Sequence, residues 1–277
     1  MPNRISVNFA LFVERPLLIT KTNMRIAFIG SGNVATVLCK LFKQAGHTIT
    51  GIYSASAANA KALAVEAGAA SFGTVESIID EADIYIMAVS DNAILQISET
   101  LKLPGKIVVH TSGSTPQNVL SNISTQYGVL YPLQSLRKQA EHQPVIPLLV
   151  NGSDEDAKLQ IRILAETVSP LVGDADDENR LNLHLAAVIV SNFTNFLYTL
   201  ADDYCNKQQV PFSALVPLIK EVAGRTGLYK PIDMQTGPAV RGDSITIEKH
   251  LQLLNQYPRQ QQVYAELTEA IRDFYTK

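Results

Sequence analysis

Residues 30–35 read Gly-Ser-Gly-Asn-Val-Ala, directly after the short apolar run Arg25 to Ile29 and directly before a helical pattern. Glycines at this spacing handle phosphate through the backbone alone. Gly30 permits a tight turn, Gly32 lets the main chain approach a pyrophosphate, and the small Ala35 allows close packing of helix on strand. Ser31, Asn33 and Val34 complete the loop, and the helix that follows offers free N–H groups and the positive end of its dipole. This segment predicts a dinucleotide site.

The end of the second strand selects the dinucleotide. A site that prefers NAD usually places Asp or Glu there for the ribose hydroxyls. No acidic residue occurs between Met24 and Val65; Ser54, Ser56, Asn59 and Lys61 stand in that place. Hydroxyls and an ammonium can hold a 2′-phosphate. NADP is therefore the expected cofactor, with NAD possible.

Groups able to exchange a proton or hold a substrate follow. Ligands of open α/β sheets bind outside the carboxyl ends of the strands. The fourth strand ends in Ala88-Val89-Ser90 and the fifth in His110-Thr111, all expected against the cofactor. His110 would sit near the nicotinamide, or would be a histidine packed into the loops there. Tyr131 and Gln134 end the next strand on the same side and would shape a substrate pocket. Farther on, His184, Ser191, Asn192 and Asn195 fall near one face of a long helix, at i, i+7, i+8 and i+11. This stripe would line a polar pocket or stitch an interface. His184 is the favoured proton donor, with Asn192 and Asn195 orienting substrate and His110 as the fallback. Arg241, in the segment Gly237 to Thr246, suits a carboxylate or phosphate, although that segment also reads as a structured inter-helix loop.

The pattern around these residues is an alternation of strands and helices. Strands are expected at Arg25 to Ile29, His47 to Ser54, Ala69 to Phe72, Asp83 to Val89 and Lys106 to His110, with later ones near Gly128 to Tyr131, Ile146 to Val150 and Leu171 to Gly173. Helices are expected between them, including Val75 to Glu81 and one with Pro116 in its first turn. The fold class is α/β: a Rossmann-type, doubly wound parallel sheet followed by an all-helical domain. After Asp174 only helices are expected. They begin with Asp177 to Gln208, about 45 Å long at the standard rise, and continue at Ser213 to Leu228, Thr246 to Gln256 and Gln260 to Tyr275. The expected divisions are an N-terminal extension over 1–23, a dinucleotide-binding domain over 24–175 and a helical substrate and dimerisation domain over 176–277.

Composition narrows the function classes. The chain has 277 residues, 46% of them hydrophobic and 18% charged, with a formal net charge of −3. That composition excludes disorder, and without a basic run it argues against nucleic acid as partner. The two cysteines, Cys39 and Cys205, stand alone, so neither a disulfide framework nor a metal site is expected, and the compartment reads as cytoplasmic. Residues 1–23 lack the uninterrupted apolar run of a signal peptide. The stretch Leu185 to Leu200 reads as too short and too polar for a membrane span. It is apolar on nearly all faces, which predicts a homodimer through the helical domain.

Taken in order, Gly30 to Ala35, His110-Thr111-Ser112-Gly113-Ser114, Leu130 to Gln134, His184-Leu185-Ala186-Ala187 with Ser191-Asn192-Phe193, and Gly237 to Asp243 carry a resemblance. The chain resembles a bacterial family of Rossmann-like NADP oxidoreductases with a helical C-terminal domain of unassigned function. It is more distantly similar to pyrroline-5-carboxylate reductase, deazaflavin-dependent NADP oxidoreductase and prephenate dehydrogenase. The resemblance runs from about Met24 to the C-terminus. It implies hydride transfer between nicotinamide and a small, anionic carbonyl or imine compound. In β-hydroxyacid dehydrogenases a catalytic Lys precedes the helix Asn by four residues; Val188 stands there before Asn192, so that mechanism is not carried over. The alternative is a non-catalytic NADP-binding sensor or interaction protein.

Overall fold

The computed structural model describes residues 13–14, 23–75, 77–78, 82–140 and 144–275. Its described residues divide into two compact units, one up to residue 191 and the other from residue 192 on. The division falls inside the long helix rather than at its start.

The first unit is built on a sheet of nine described strands: β1 (Val13–Glu14), β2 (Arg25–Ile29), β3 (Thr48–Tyr53), β4 (Ala70–Phe72), β5 (Ile84–Met87), β6 (Ile107–His110), β7 (Gln126–Pro132), β8 (Leu148–Gly152) and β9 (Leu171–Asp174). Their order across the sheet is β1-β9-β8-β7-β6-β5-β2-β3-β4. From β4 to β7 every neighbouring pair is parallel, as the alternation predicts. Beyond that point the otherwise parallel sheet has a reversal that was not expected: β8 runs antiparallel to β7. Parallel neighbours need a crossover, usually a helix. The connection over 133–147 has none among its described residues, so the chain returns directly along β7. Helix α4 (Glu155–Glu166) then supplies the crossover that makes β9 parallel to β8.

The central strands are buried on both faces, which is why they read as continuous apolar runs. One face is covered by α1 (Asn33–Gln44), α2 (Ala57–Ala67) and α4, with Leu38, Phe42, Leu63, Ile161 and Leu164 against the sheet. The other is covered by α3 (Asp91–Thr100) and the 3-10 segment Gln117–Asn122, through Ile94 and Leu120. Burying such a side chain stabilises by about 1.5–3 kcal/mol, so the apolar runs alone commit the chain to this layering.

Three local expectations change. Pro116 precedes a 3-10 segment instead of opening an α-helix. The helix expected over Val75 to Glu81 lies partly outside the described residues; Ser77 sits in a turn closed by reciprocal bonds with Thr74. The N-terminal extension, set aside from the fold, contributes β1, which pairs antiparallel with β9 at the sheet edge.

The run Asp177–Lys207 is helical throughout, as α5 (Asp177–Ala187), a π-helical segment (Val188–Phe193) and α6 (Thr194–Lys207). By length and composition it could cross a membrane, and it is longer than the sixteen-residue stretch weighed from sequence; only 6% of its most apolar window is buried. The second unit continues with α7 (Val216–Arg225), α8 (Ser244–Leu253) and α9 (Pro258–Tyr275). Among its described residues the buried apolar side chains are Cys205, Ala239 and Ile247.

Candidate functional site

The glycine loop adopts the conformation that its sequence requires. Gly30 has φ +121°, and a Cβ there would lie 2.2 Å from the Ala88 carbonyl oxygen, so only glycine fits between β2 and β5. Gly32 is different: its φ is −76°, yet nothing lies within 4 Å of where its Cβ would be. Open space, rather than backbone strain, is what a glycine provides at that point. Helix α1 begins there with no side-chain cap and no acid in its first turn. Its orphan amides are thus left for an external acceptor. Ala35 is fully buried in the core, Val34 packs against that core, and Asn33 Oδ1 accepts from the Lys138 amide at 3.3 Å. These residues fit a dinucleotide's pyrophosphate.

At the end of β3, Ser54 Oγ accepts from Ser31 Oγ at 2.8 Å. Ser56 is the N-cap of α2, its Oγ accepting from the Asn59 amide, and Lys61 is exposed on that helix. Ala88 is buried at the end of β5, Val89 half-buried and Ser90 the exposed N-cap of α3. The Thr111 amide donates to the Met87 carbonyl at 3.1 Å, which holds the ends of β5 and β6 together.

His110 and His184 have different surroundings. His110 is 0% exposed, and its Nδ1 accepts from the Ser112 amide at 3.2 Å. That leaves the neutral ring's proton on Nε2, which has no hydrogen-bond partner among the described residues. Burial, aided by the Arg180 guanidinium, pushes its pKa down to about 4; the Pro116 carbonyl and the carboxylates of Asp177 and Asp91 offset only part of this. His110 is a neutral, packed ring at physiological pH, which favours the packing reading over the fallback role of proton donor.

His184 is half-buried on α5. Its Nδ1 is 2.9 Å from the phenol oxygen of Tyr131, at the carboxyl end of β7, and the rings meet edge to face at 5.8 Å between centroids. Burial raises the Tyr131 pKa, with Arg180 opposing, so the phenol keeps its proton. The backbone at Gly113 is pressed against the imidazole: a Cβ there would be 2.6 Å from His184 Cγ and Nδ1. Gln134 is exposed just beyond Tyr131, its Oε1 accepting from the Ser135 amide.

Three residues that the sequence reading passed over surround this pair. Arg180, one turn before His184, is 1% exposed; its Nη2 donates to the Thr115 carbonyl and to Asp177 Oδ1. Asp177 in turn accepts from the Gln117 amide. Asp91, at the start of α3, accepts from the Ser114 hydroxyl. Burial works against its ionisation, but hydrogen bonds from Ser114 and Ser112, with the charges of His110 and His184, hold its pKa below the usual carboxylate range. The i,i+3 spacing of Asp177 and Arg180 and the position of Asp91 directly after a strand were available signals.

Asn192, Asn195 and Arg241 belong to the helical unit. Asn192 lies in the π-helical segment and Asn195 in α6, both exposed; Arg241 is in the loop before α8. The π segment breaks the 3.6-residue period on which the His184–Asn192–Asn195 stripe was drawn, because its bonds span five residues instead of four. The single face expected for that stripe is corrected accordingly.

Comparison with known proteins gives the same outline. Residues 25–113 match the family described as "NADP oxidoreductase coenzyme F420-dependent". Residues 146–271 match "Domain of unknown function (DUF2520)". Among curated proteins none matches the chain. Among solved structures, a candidate NADP oxidoreductase from Bacteroides fragilis is 35% identical, with a TM-score of 0.85 over 91% of this chain and 98% of that one. A reductive aminase from Aspergillus terreus, in complex with NADPH and ethyl-5-oxohexanoate, is 20% identical, with a TM-score of 0.63 over 92% and 93%. The 1-pyrroline-5-carboxylate reductase of Streptococcus pyogenes is 13% identical, with a TM-score of 0.60 over 91% and 99%. The last two likenesses are of fold alone.

Proposed function

The chain belongs to the NADP oxidoreductase family that joins a Rossmann domain to the C-terminal domain of unknown function, and from that premise we propose that it reduces a small, anionic carbonyl or imine compound with NADPH. The observation that carries the proposal is the Tyr131–His184 pair. It sits at the carboxyl end of β7, a parallel neighbour of β6 in the same sheet whose strand β2 leads into the glycine loop. The reductive aminase and pyrroline-carboxylate reductase of like fold both bear names of C=N chemistry, which supports an imine.

Gly30 to Ala35 would hold the pyrophosphate, Ser54, Ser56 and Lys61 the 2′-phosphate, and Ala88, Val89, Ser90 and Thr111 the nicotinamide half. NADPH, when bound, supplies the hydride for the acceptor carbon. The chain's own task is the proton. With Tyr131 O–H donating to Nδ1, the neutral His184 ring carries its hydrogen on Nε2; taking up a proton makes Nδ1 a donor to the phenol oxygen instead. The imidazolium then releases the Nε2 proton to the acceptor's nitrogen or oxygen, which leaves the neutral Nδ1–H tautomer donating to Tyr131, and a proton from solvent at Nε2 restores the imidazolium for the next turnover. Tyr131 thus fixes the ring and accommodates either state without losing its own proton. Gln134, just beyond Tyr131, would orient the substrate.

Assembly as a homodimer through the helical unit completes the proposal. Phe193, Phe196, Leu218, Val222, Leu253 and Phe274 are all exposed in the single chain, an apolar surface that a second copy would cover. Light scattering at micromolar concentration tests this, and a monomer overturns it. The lone buried cysteines accord with a cytoplasmic home.

The experiment for the activity is a thermal-shift screen with NADP and NAD, followed by NADPH oxidation against cyclic imines and keto acids. Turnover that falls about a hundredfold or more in His184→Gln, the range for losing a general acid, with NADP affinity kept, supports the reading. Tight NADP binding without turnover on any carbonyl or imine favours the sensor reading instead.

A further inference from the structure

The loop over 111–117 is fastened at two places. On one side the Ser114 hydroxyl is bonded to the carboxylate of Asp91 on α3. On the other, Thr115 and Gln117 are bonded to Arg180 and Asp177 on α5. Between the two fastenings, Gly113 packs on the His184 ring. We propose that Asp91 is the counter-charge of His184, a positioning residue that supports the protonated imidazole and couples it to α3 through Ser114 and Gly113.

The geometry alone places the carboxylate one bonded residue, Ser114, from the glycine that touches the ring. The electrostatics agree. His184 and His110 are among the groups that favour ionised Asp91, as expected where a carboxylate and imidazoles are brought together by one loop. His110, held neutral, adds little charge of its own near pH 7. Among the described residues, the charged and titratable groups of this cluster are Tyr131 from β7, His110 from β6, Arg180 and Asp177 from α5, and Asp91 from α3. Arg180 bonds Asp177 and the Thr115 carbonyl through Nη2, while its Nε and Nη1 have no hydrogen-bond partner among the described residues. Asp91 is bonded to neutral hydroxyls and forms no ion pair among the described residues. Two hydroxyl donors keep it ionised without neutralising it, which is the condition for acting on a neighbouring ring.

The inference rests on His184 as the proton-exchanging group, but its test needs no substrate. Full-length protein labelled at histidine Cε1 is titrated by NMR, with the His184 signal assigned by its loss in His184→Gln. In Asp91→Asn the side chain can still accept from Ser114, so the loop stays fastened while the charge is gone. The His184 midpoint should move to lower pH in that variant and return toward the native value in Asp91→Glu. Should Asp91→Asn fail to fold, the reciprocal arm remains: in His184→Gln the Asp91 carboxyl, followed by its 13C shift, should titrate at higher pH than in the native chain. A His184 midpoint unmoved in Asp91→Asn overturns the proposal. So does an Asp91 midpoint unmoved in His184→Gln. Loss of NADP affinity in Asp91→Asn with no change at His184 also overturns it, by assigning Asp91 to the cofactor. Absence of turnover with the coupling intact would count against the proposed reaction and leave the coupling standing.

Discussion

The phenol oxygen of Tyr131 lies 2.9 Å from Nδ1 of His184, with the rings at 78° to each other. The bond joins residues 53 positions apart, on a strand and a helix that belong to the same compact unit. Tyr131→Phe keeps the ring packing and removes only the bond. The expected cost in stability is about 1 kcal/mol, the net worth of a hydrogen bond in water. A double-mutant cycle with His184→Gln, followed by chemical denaturation, should return a coupling of similar size; additive effects would mean that the bond contributes nothing.

Gly113→Ala should disturb the same pair from the other side. No positive φ demands glycine there; the constraint is the imidazole 2.6 Å from the new methyl. Displacing a packed ring costs about 1–3 kcal/mol. In a His184→Gly background, which also removes the Cβ 2.9 Å from the new methyl, that cost should largely vanish, and equal penalties in both backgrounds would show that the methyl strains something else.

Acid should destabilise the protein before its carboxylates are reached. The unfolded chain protonates His110 near pH 6.5, whereas the folded chain holds the ring neutral down to about 4. The associated stability is present above about pH 6.5 and is lost as the pH falls toward 4, amounting in full to about 3 kcal/mol. His47, buried at the other end of the sheet with Nδ1 accepting from the Met24 amide, is shifted down by burial as well and acts in the same direction. Melting temperatures measured between pH 7.5 and 4.5 should fall, and His110→Asn should flatten the slope. A slope unchanged by that substitution would place the acid sensitivity elsewhere.

Gly32→Asp should separate binding from folding. Its Cβ enters open space at an ordinary φ, so the melting temperature of the free protein should hardly move. The carboxylate would stand at the uncapped start of α1, where the proposed pyrophosphate lies, and NADP affinity should drop at least about tenfold, or 1.4 kcal/mol. Calorimetric titration of both proteins measures this. Retained affinity would move the cofactor away from the glycine loop.

The order of elements was legible from the first residues of the pattern. Gly30, Gly32 and Ala35 identified the loop because the turn and the phosphate approach are backbone events, determined by which residues lack a side chain. The buried runs at Ile84–Met87 and Ile107–His110 identified central strands because both faces of a parallel sheet are covered. His184 could be named as a candidate from its type and its place on a long helix.

What surrounds His184 was settled by the tertiary structure. Tyr131, Gly113 and Asp91 come from β7, the loop after β6 and the start of α3, and nothing in their sequence positions says which of them meet. The reversal of β8 and the edge strand β1 depend on pairing across the sheet, which local patterns do not encode. The fate of the two candidate histidines was decided the same way: both are imidazoles beside strand ends or loops, but His110 is sealed from water beside a buried guanidinium while His184 keeps one side open. Protonation follows solvation and nearby charge, and these are properties of the folded neighbourhood rather than of the residue type.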